Sequence, residues 1–172
     1  MSGNLILCGF MGCGKTSVGR RAAKLLGLEF CDLDQYIQQK WDMSITEIFA
    51  RDGEEGFRQR EAQAAREVAD MPGLIIASGG GTVLAEKNVE AFHKSGGRIV
   101  FLDAPLPALQ ERLKNDKRRP LLQVPNRRQV IAGLYRKRIP LYRAAADVTV
   151  NAGAPPSVVA QRVAALVENG AR

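Results

Sequence analysis

A glycine-rich stretch near the start of the chain constrains the fold more than any other feature of the sequence. It reads GFMGCGKT, from Gly9 to Thr16, and follows the apolar run Leu5–Cys8. A helical pattern follows over Lys15–Leu26. The spacing G-x-x-x-x-G-K-T between a strand and a helix is that of a phosphate-binding loop, whose backbone N–H groups surround a phosphate at the positive end of the helix. The sequence therefore predicts a site for a nucleoside triphosphate.

This loop predicts specific contacts. Lys15 would neutralise the β and γ phosphates, and the hydroxyl of Thr16 would coordinate Mg²⁺. An ordinary glycine-rich turn is the alternative, but the complete motif between a strand and a helix is rare by chance. The loop residues expected to bind ATP are Gly12, Cys13, Gly14, Lys15, Thr16 and Ser17.

The rest of the chain alternates short apolar runs with longer amphipathic ones, which is typical of βα units around a mostly parallel sheet. We predict strands at Leu5–Cys8, Glu29–Asp32, Leu74–Ala77, Arg98–Leu102 and Asp147–Val150. Helices are predicted at Lys15–Leu26, Asp34–Lys40, Ser44–Ala50, Glu54–Ala69, Glu86–Lys94, Pro107–Leu113, Arg127–Ile139 and Pro156–Val167. Ser44 and Glu47 have the spacing of a capping box. The expected fold is α/β, with a central five-stranded parallel sheet flanked by helices.

Length and composition limit the class of protein. A chain of 172 residues, 45% of them hydrophobic, suffices for one domain spanning residues 1–172. No basic segment precedes Asn4, and no apolar run is long enough for secretion or for crossing a membrane. The three cysteines have neither an even number nor metal-ligand spacing. We expect a cytoplasmic protein with reduced thiols and no membrane partner.

The positive charge is concentrated in one part of the chain. The net charge is +7, and residues 112–143 hold eleven Lys or Arg against a single Asp. Such a cluster fits either nucleic acid or a small, highly anionic ligand. Stacking on nucleic acid needs aromatic side chains among the cations, and this window offers only Tyr135 and Tyr142. We therefore expect no nucleic-acid partner.

Two aspartates follow the second predicted strand, in the stretch CDLDQYI. In a parallel sheet this position lies beside the phosphate loop, where binding sites form. Of Asp32 and Asp34, one carboxylate can hold Mg²⁺ through water, while the other can accept the proton of an attacking hydroxyl. Asp34 is equally suited to be the N-cap of the helix that follows.

Four further motifs, in this order along the chain, specify the family. They are EEGFRQRE (54–61), SGGGT (78–82), KRRPLL (117–122) and KRIPLY (137–142). Together with the phosphate loop they resemble the shikimate kinases over nearly the whole chain. The resemblance implies a P-loop kinase fold like that of nucleoside-monophosphate kinases. It also implies transfer of the γ-phosphoryl group of ATP to the 3-hydroxyl of shikimate, a step towards aromatic amino acids, with Mg²⁺ as cofactor.

Site residues are implied by the same resemblance. Asp34 would hold the substrate hydroxyls and act as base, and Asp32 would support the Mg²⁺ shell. Arg58 and Arg138 would bind the carboxylate. The substrate would also approach the backbone of Gly79, Gly80 and Gly81. Arg112 and Pro155 resemble adenine-contacting positions, although the sequence around Pro155 matches only loosely. The family also suggests a monomer.

The stretch NDKRRPLLQVPNRR (115–128) is too charged and too interrupted by proline to belong to a core, and we interpret it as a mobile surface segment. By resemblance, about residues 115–126 form a lid that brings Arg119 over the nucleotide. Phosphoryl transfer requires that water be excluded, so a closing segment is expected here.

Other interpretations of these residues remain open. Arg58 has the spacing to pair with Glu54 or Glu61 on the surface of a helix. Arg138 could stabilise a helix C-terminus before Pro140. Within kinases, another small polyol or a nucleoside monophosphate could be the acceptor, although neither requires arginines for a carboxylate. An ATP-binding regulator without catalysis is a further alternative.

Overall fold

A five-stranded parallel sheet forms the centre of the molecule. The computed structural model describes residues 3–169, and the strand order is β2-β3-β1-β4-β5. The strands are β1 (Leu5–Cys8), β2 (Glu29–Asp32), β3 (Leu74–Ala77), β4 (Arg98–Asp103) and β5 (Val148–Asn151). The inner strands β1 and β3 are buried throughout, which explains their uninterrupted apolar sequences.

Seven helices connect and flank the strands. They are α1 (Lys15–Leu26), α2 (Leu33–Trp41), α3 (Ile45–Asp70), α4 (Glu86–Lys94), α5 (Leu106–Leu113), α6 (Arg127–Ala145) and α7 (Pro156–Asn169). Short 3₁₀ turns cover Thr82–Leu84 and Pro120–Leu122. Since all strands are parallel, the loops that follow them meet at one edge of the sheet, as expected from the sequence.

Helix α3 departs from regular geometry where the sequence predicts a gap between two helices. Gly53 has φ 67° and ψ −172°, which are not helical angles, so the helix is kinked there. Glycine accepts this conformation without the strain that a side chain would cause. The predicted capping box is confirmed: Ser44 Oγ accepts from Glu47 N, and a carboxylate oxygen of Glu47 accepts from Ser44 N. The kink separates the first part of α3 from the part that carries Arg58.

The predicted end of α6 at Ile139 is wrong. The helix continues through Pro140 to Ala145. A proline inside a helix lacks one N–H donor and usually bends or ends the helix. Here the residues beyond it are held by tertiary packing, because Tyr142 is fully buried and stacks on Phe101 of β4 with ring centroids 5.7 Å apart.

No helix within residues 3–169 has both the length and the apolar character needed to cross a bilayer.

Candidate active site

The glycine-rich loop between β1 and α1 has the conformation that its glycines permit. Gly9, Gly12 and Gly14 all have positive φ, at 147°, 77° and 98°. Lys15 begins α1, and its Nζ donates to the carbonyls of Gly9 at 2.7 Å and of Phe10 at 3.3 Å. The ammonium group is therefore held against the loop, where phosphates would bind.

Arg112 connects this loop to the segment after β5. Its guanidinium donates to the carbonyl of Gly12 and to that of Ala152, both at 3.1 Å. Pro155 is exposed and lies just before α7. Both residues were predicted to contact adenine. The structure brings Arg112 to the glycine-rich loop, and the contact of both residues with adenine stays a prediction.

Thr16 and Asp32 lie together, as the magnesium prediction requires. The hydroxyl of Thr16 donates to Asp32 Oδ2 at 3.1 Å. The other oxygen of Asp32 accepts from Gln35 N at 3.2 Å, so Asp32 is the N-cap of α2. The alternative role of Asp34 as N-cap is therefore wrong. One carboxylate and one hydroxyl suit Mg²⁺, which takes few protein ligands and completes its shell with water and phosphate oxygens.

Asp34 lies in the first turn of α2 and is largely enclosed by other side chains. Burial raises the pKa of its carboxyl to about 6, and the nearby carboxylates of Asp32 and Glu61 act in the same direction. Lys15 and Arg58 oppose this shift. A carboxylate with a pKa just below neutral is ionised at pH 7 and still basic enough to take a proton from a bound hydroxyl.

Arg58 and Glu61 form a partly buried ion pair on α3. Arg58 Nη1 lies 2.8 Å from Glu61 Oε1, while Glu54 is 3.7 Å from Nε. The proposed pairing with both glutamates is therefore present, but it is not only a surface contact, because Glu61 is 1% exposed. Glu61 Oε2 also accepts from Thr82 Oγ1 at 2.9 Å. This network fixes the Arg58 guanidinium at the edge of a cavity.

The three consecutive glycines Gly79, Gly80 and Gly81, called the glycine loop below, leave room for the charged side chains around them. A Cβ on Gly79 would lie 3.1 Å from Asp34 Oδ1, and one on Gly80 would lie 3.2 Å from Arg138 Nη1. On Gly81 it would lie only 2.7 Å from both terminal nitrogens of Arg58. Any larger residue would displace a charged group of the site.

Arg138 projects from the middle of α6 towards this glycine loop. Since the helix continues for seven residues after it, Arg138 does not act at a helix C-terminus, and that alternative is wrong. Tyr142, one turn later, donates its hydroxyl to the carbonyl of Gly80 at 2.7 Å. Sequence reasoning gave Tyr142 no role, although it closes the motif KRIPLY.

These groups surround a cavity of about 400 Å³. It is lined by Met11, Asp34, Ile45, Phe49, Phe57, Arg58, Glu61, Gly79, Gly80, Gly81, Arg118, Arg119, Leu121 and Arg138. Four arginines and the carboxylates of Asp34 and Glu61 line this small cavity, a combination that suits a small acid that also carries hydroxyl groups. The apolar residues and Arg118 were not singled out from the sequence, because such residues are more often core or solvated surface.

Residues 115–126, called the 115–126 segment below, are anchored more firmly than expected. Leu122 is completely buried, so the prediction that nothing in this stretch belongs to the core is wrong at that residue. Asp116 accepts from the backbone N–H groups of Arg118 and Arg119 and pairs with the guanidinium of Arg119.

The side chain of Arg127 joins Leu113, just before this segment, to Leu122 within it. The guanidinium of Arg127 donates to the carbonyl of Leu122 at 2.7 Å and to that of Leu113 at 3.1 Å. Arg119 and Leu121, which lie between these points, face the cavity. The segment therefore forms one wall of the site.

A phosphate loop at the start of a parallel α/β sheet, next to a cavity for a small acid, defines a P-loop kinase of small molecules. The family model of shikimate kinase matches residues 11–168. The chain belongs to the shikimate kinase family.

Individual relatives agree with this assignment. A shikimate kinase from Psychrobacter cryohalolentis is 44% identical over 150 residues, which is 87% of this chain and 80% of that protein. One from Aromatoleum aromaticum is 42% identical and covers 96% and 94% of the two chains. The solved structure of shikimate kinase from Acinetobacter baumannii in complex with shikimate has a TM-score of 0.87 at 40% identity, covering 98% of this chain and 94% of that one.

Proposed function

We propose that this protein transfers the γ-phosphoryl group of ATP to the 3-hydroxyl of shikimate, giving shikimate 3-phosphate and ADP. The observation that carries the proposal is the cavity in which Arg58 and Arg138 stand at the glycine loop, with Asp34 close to the same loop. Shikimate carries one carboxylate and several hydroxyl groups, so it matches two guanidinium groups and one carboxylate. A simple polyol or a nucleoside monophosphate does not call for this combination.

The phosphate loop and Lys15 hold the triphosphate, with the Lys15 ammonium positioned by the carbonyl of Gly9. Arg112 is hydrogen-bonded to the carbonyl of Gly12 in this loop, from where it would contact the adenosine. Arg119 lines the cavity, and its guanidinium would stabilise the charge that develops on the transferring group. Asp34 binds the acceptor hydroxyl and takes its proton as the new P–O bond forms and the bond to ADP breaks.

Mg²⁺ is the cofactor that such a reaction uses, and Thr16 and Asp32 are the residues that would hold it. Their hydrogen-bonded oxygens supply one hydroxyl and one carboxylate ligand. Bound there, Mg²⁺ would neutralise negative charge on the phosphates.

The 115–126 segment acts as a lid within a single domain in this proposal. Leu121 is 60% exposed although it lines the cavity, so inward movement of the segment would bury apolar surface over the substrates. Closure excludes water, which would otherwise accept the phosphoryl group. A monomeric state and a cytoplasmic location stay predictions.

The test is coupled ADP release from MgATP, with the phosphorylated product identified by mass. Shikimate, gluconate and nucleoside monophosphates are compared as acceptors. We expect turnover with shikimate and none above background with the others. Turnover with another acceptor alone would contradict the carboxylate-binding role of the two arginines, and ATP binding without any turnover would favour a regulator.

Two variants of α1 make the test specific to the phosphate loop. K15A should lower kcat at least about a hundredfold, because it removes the cation from the transferring phosphates. K24A removes an exposed lysine from the last turn of the same helix and should leave kcat unchanged. Equal activity of K15A and K24A would contradict the proposed role of the loop.

A further inference from the structure

The buried hydroxyl of Tyr142 joins α6 to the glycine loop of the cavity. It donates to the carbonyl of Gly80 at 2.7 Å, and the side chain is fully buried. The ring stacks on Phe101 with an angle of 28° between the planes. The hydroxyl is thus fixed by the sheet on one side and holds the loop on the other.

Arg138 and Tyr142 contact the same part of the loop. They are four residues apart on α6, which puts them on one face of the helix. The Cβ position of Gly80 is 3.2 Å from Arg138 Nη1 and 3.9 Å from the Tyr142 hydroxyl oxygen. A shift of the loop relative to Tyr142 would therefore also change its distance from Arg138.

The path of α6 also brings Tyr142 to the glycine loop. Pro140 lies between the two residues and lacks the N–H that would bond to the carbonyl of residue 136. The helix nevertheless continues to Ala145 and carries Tyr142 into the core. The part of the helix beyond the proline is thus the part that supplies the contact with Gly80.

We propose that Tyr142 is a positioning residue for the carboxylate of the acceptor: its hydroxyl fixes the Gly80 carbonyl and thereby the spacing between the glycine loop and Arg138. Because the carboxylate is that of shikimate, this role rests on the proposed function. Tyr142 does not line the cavity, so it acts through these two neighbours and not by touching the substrate.

The environment of the hydroxyl agrees with a role as hydrogen-bond donor. Burial raises the pKa of Tyr142, while the cations of Lys15 and Arg138 act in the opposite direction. The phenol therefore stays protonated at neutral pH and donates to Gly80. Without it, the Gly80 carbonyl would lose this buried partner.

Y142F tests the proposal by removing one oxygen while keeping the ring that fills the core. Y135F is the matched control, because Tyr135 lies on the same helix and packs edge-on against Phe10 instead of the glycine loop. For Y142F we expect KM for shikimate to rise roughly tenfold, with kcat and KM for ATP within about twofold of the parent. Calorimetric titration should show the same weakening of shikimate binding. Y135F should retain all three constants.

The parent protein is assayed in parallel. If it does not phosphorylate shikimate, the proposed function fails; if it does and Y142F keeps the parent's KM for shikimate, the positioning role alone is overturned. A parallel loss of ATP and shikimate binding would also overturn it, since a general structural defect would affect both. Thermal unfolding is recorded for each variant, and measurements at 10 °C keep a destabilised variant folded.

Discussion

Replacing Gly81 by alanine should weaken shikimate binding without unfolding the protein. The new Cβ would lie 2.7 Å from both terminal nitrogens of Arg58, whereas ordinary contact begins at 3.4 Å. The guanidinium must therefore move by about 0.7 Å. The backbone of Gly81 has φ −108° and ψ −4°, which alanine adopts without strain. The clash is thus with the end of a flexible side chain, and the fold can accommodate it.

The cost follows from what Arg58 loses when it moves. Either its 2.8 Å bond to Glu61 or its alignment with the substrate carboxylate is disturbed. A hydrogen bond to a charged group contributes about 2 kcal/mol, which corresponds to a rise of roughly thirtyfold in KM for shikimate. We expect kcat and KM for ATP to stay near their original values, because the phosphate loop is not touched.

Steady-state kinetics with both substrates varied, together with thermal unfolding, provide the assay. G133A is the matched control: a Cβ on Gly133 meets nothing within 4 Å, so alanine should stabilise α6 by about 0.5–1 kcal/mol and leave the kinetics alone. If G81A binds shikimate as tightly as the parent, then Arg58 does not hold the carboxylate from its observed position.

Two further outcomes are expected. Because the pKa of Asp34 is raised to about 6 in the free protein, kcat/KM for shikimate should fall as the pH drops through 6. Ionising this carboxyl destabilises the folded state; the effect is absent below about pH 4 and complete above pH 6. D34N should therefore unfold at a higher temperature than the parent at pH 8, while losing activity. An unchanged unfolding temperature would contradict the raised pKa. L122A truncates a buried leucine, which costs about 2–5 kcal/mol of stability and should loosen the 115–126 segment. Trypsin should therefore cleave this segment faster, and ATP hydrolysis should rise relative to phosphoryl transfer to shikimate. The exposed control L25A should not do so, and equal cleavage rates would count against the anchor.

Most of the fold is visible in the sequence because its signals are local. The strands β1, β2 and β3 and the helices α1 and α4 begin and end at the predicted residues. The inner strands are short uninterrupted apolar runs, and the phosphate loop has a fixed spacing. The gap predicted between the helices Ser44–Ala50 and Glu54–Ala69 contains Gly53, where α3 is kinked.

The errors arise where distant contacts override local preference. Pro140 signals a helix end, but the stacking of Tyr142 on Phe101 outweighs it. Leu122 lies among charged residues and is nevertheless buried. No local pattern distinguishes either case from an exposed position.

Some residues of the candidate site could likewise be chosen from local sequence, and others only from the fold. Lys15, Thr16 and Asp34 belong to motifs and could be chosen from sequence. Glu61 lies three residues after Arg58, so its spacing indicates a solvated helix pair. Only the fold brings Thr82 against it and buries it.

The contacts of Arg127 with Leu113 and Leu122 affect how far the chain between these two residues can vary in length. The guanidinium of Arg127 binds the carbonyls of Leu113 and Leu122, so these two residues are kept close together. The entropy of closing such a loop changes slowly with length, by about 0.6 kcal/mol for each doubling. The stretch between these anchors can therefore gain or lose residues at a small cost in free energy, as long as Arg119 and the buried Leu122 are kept.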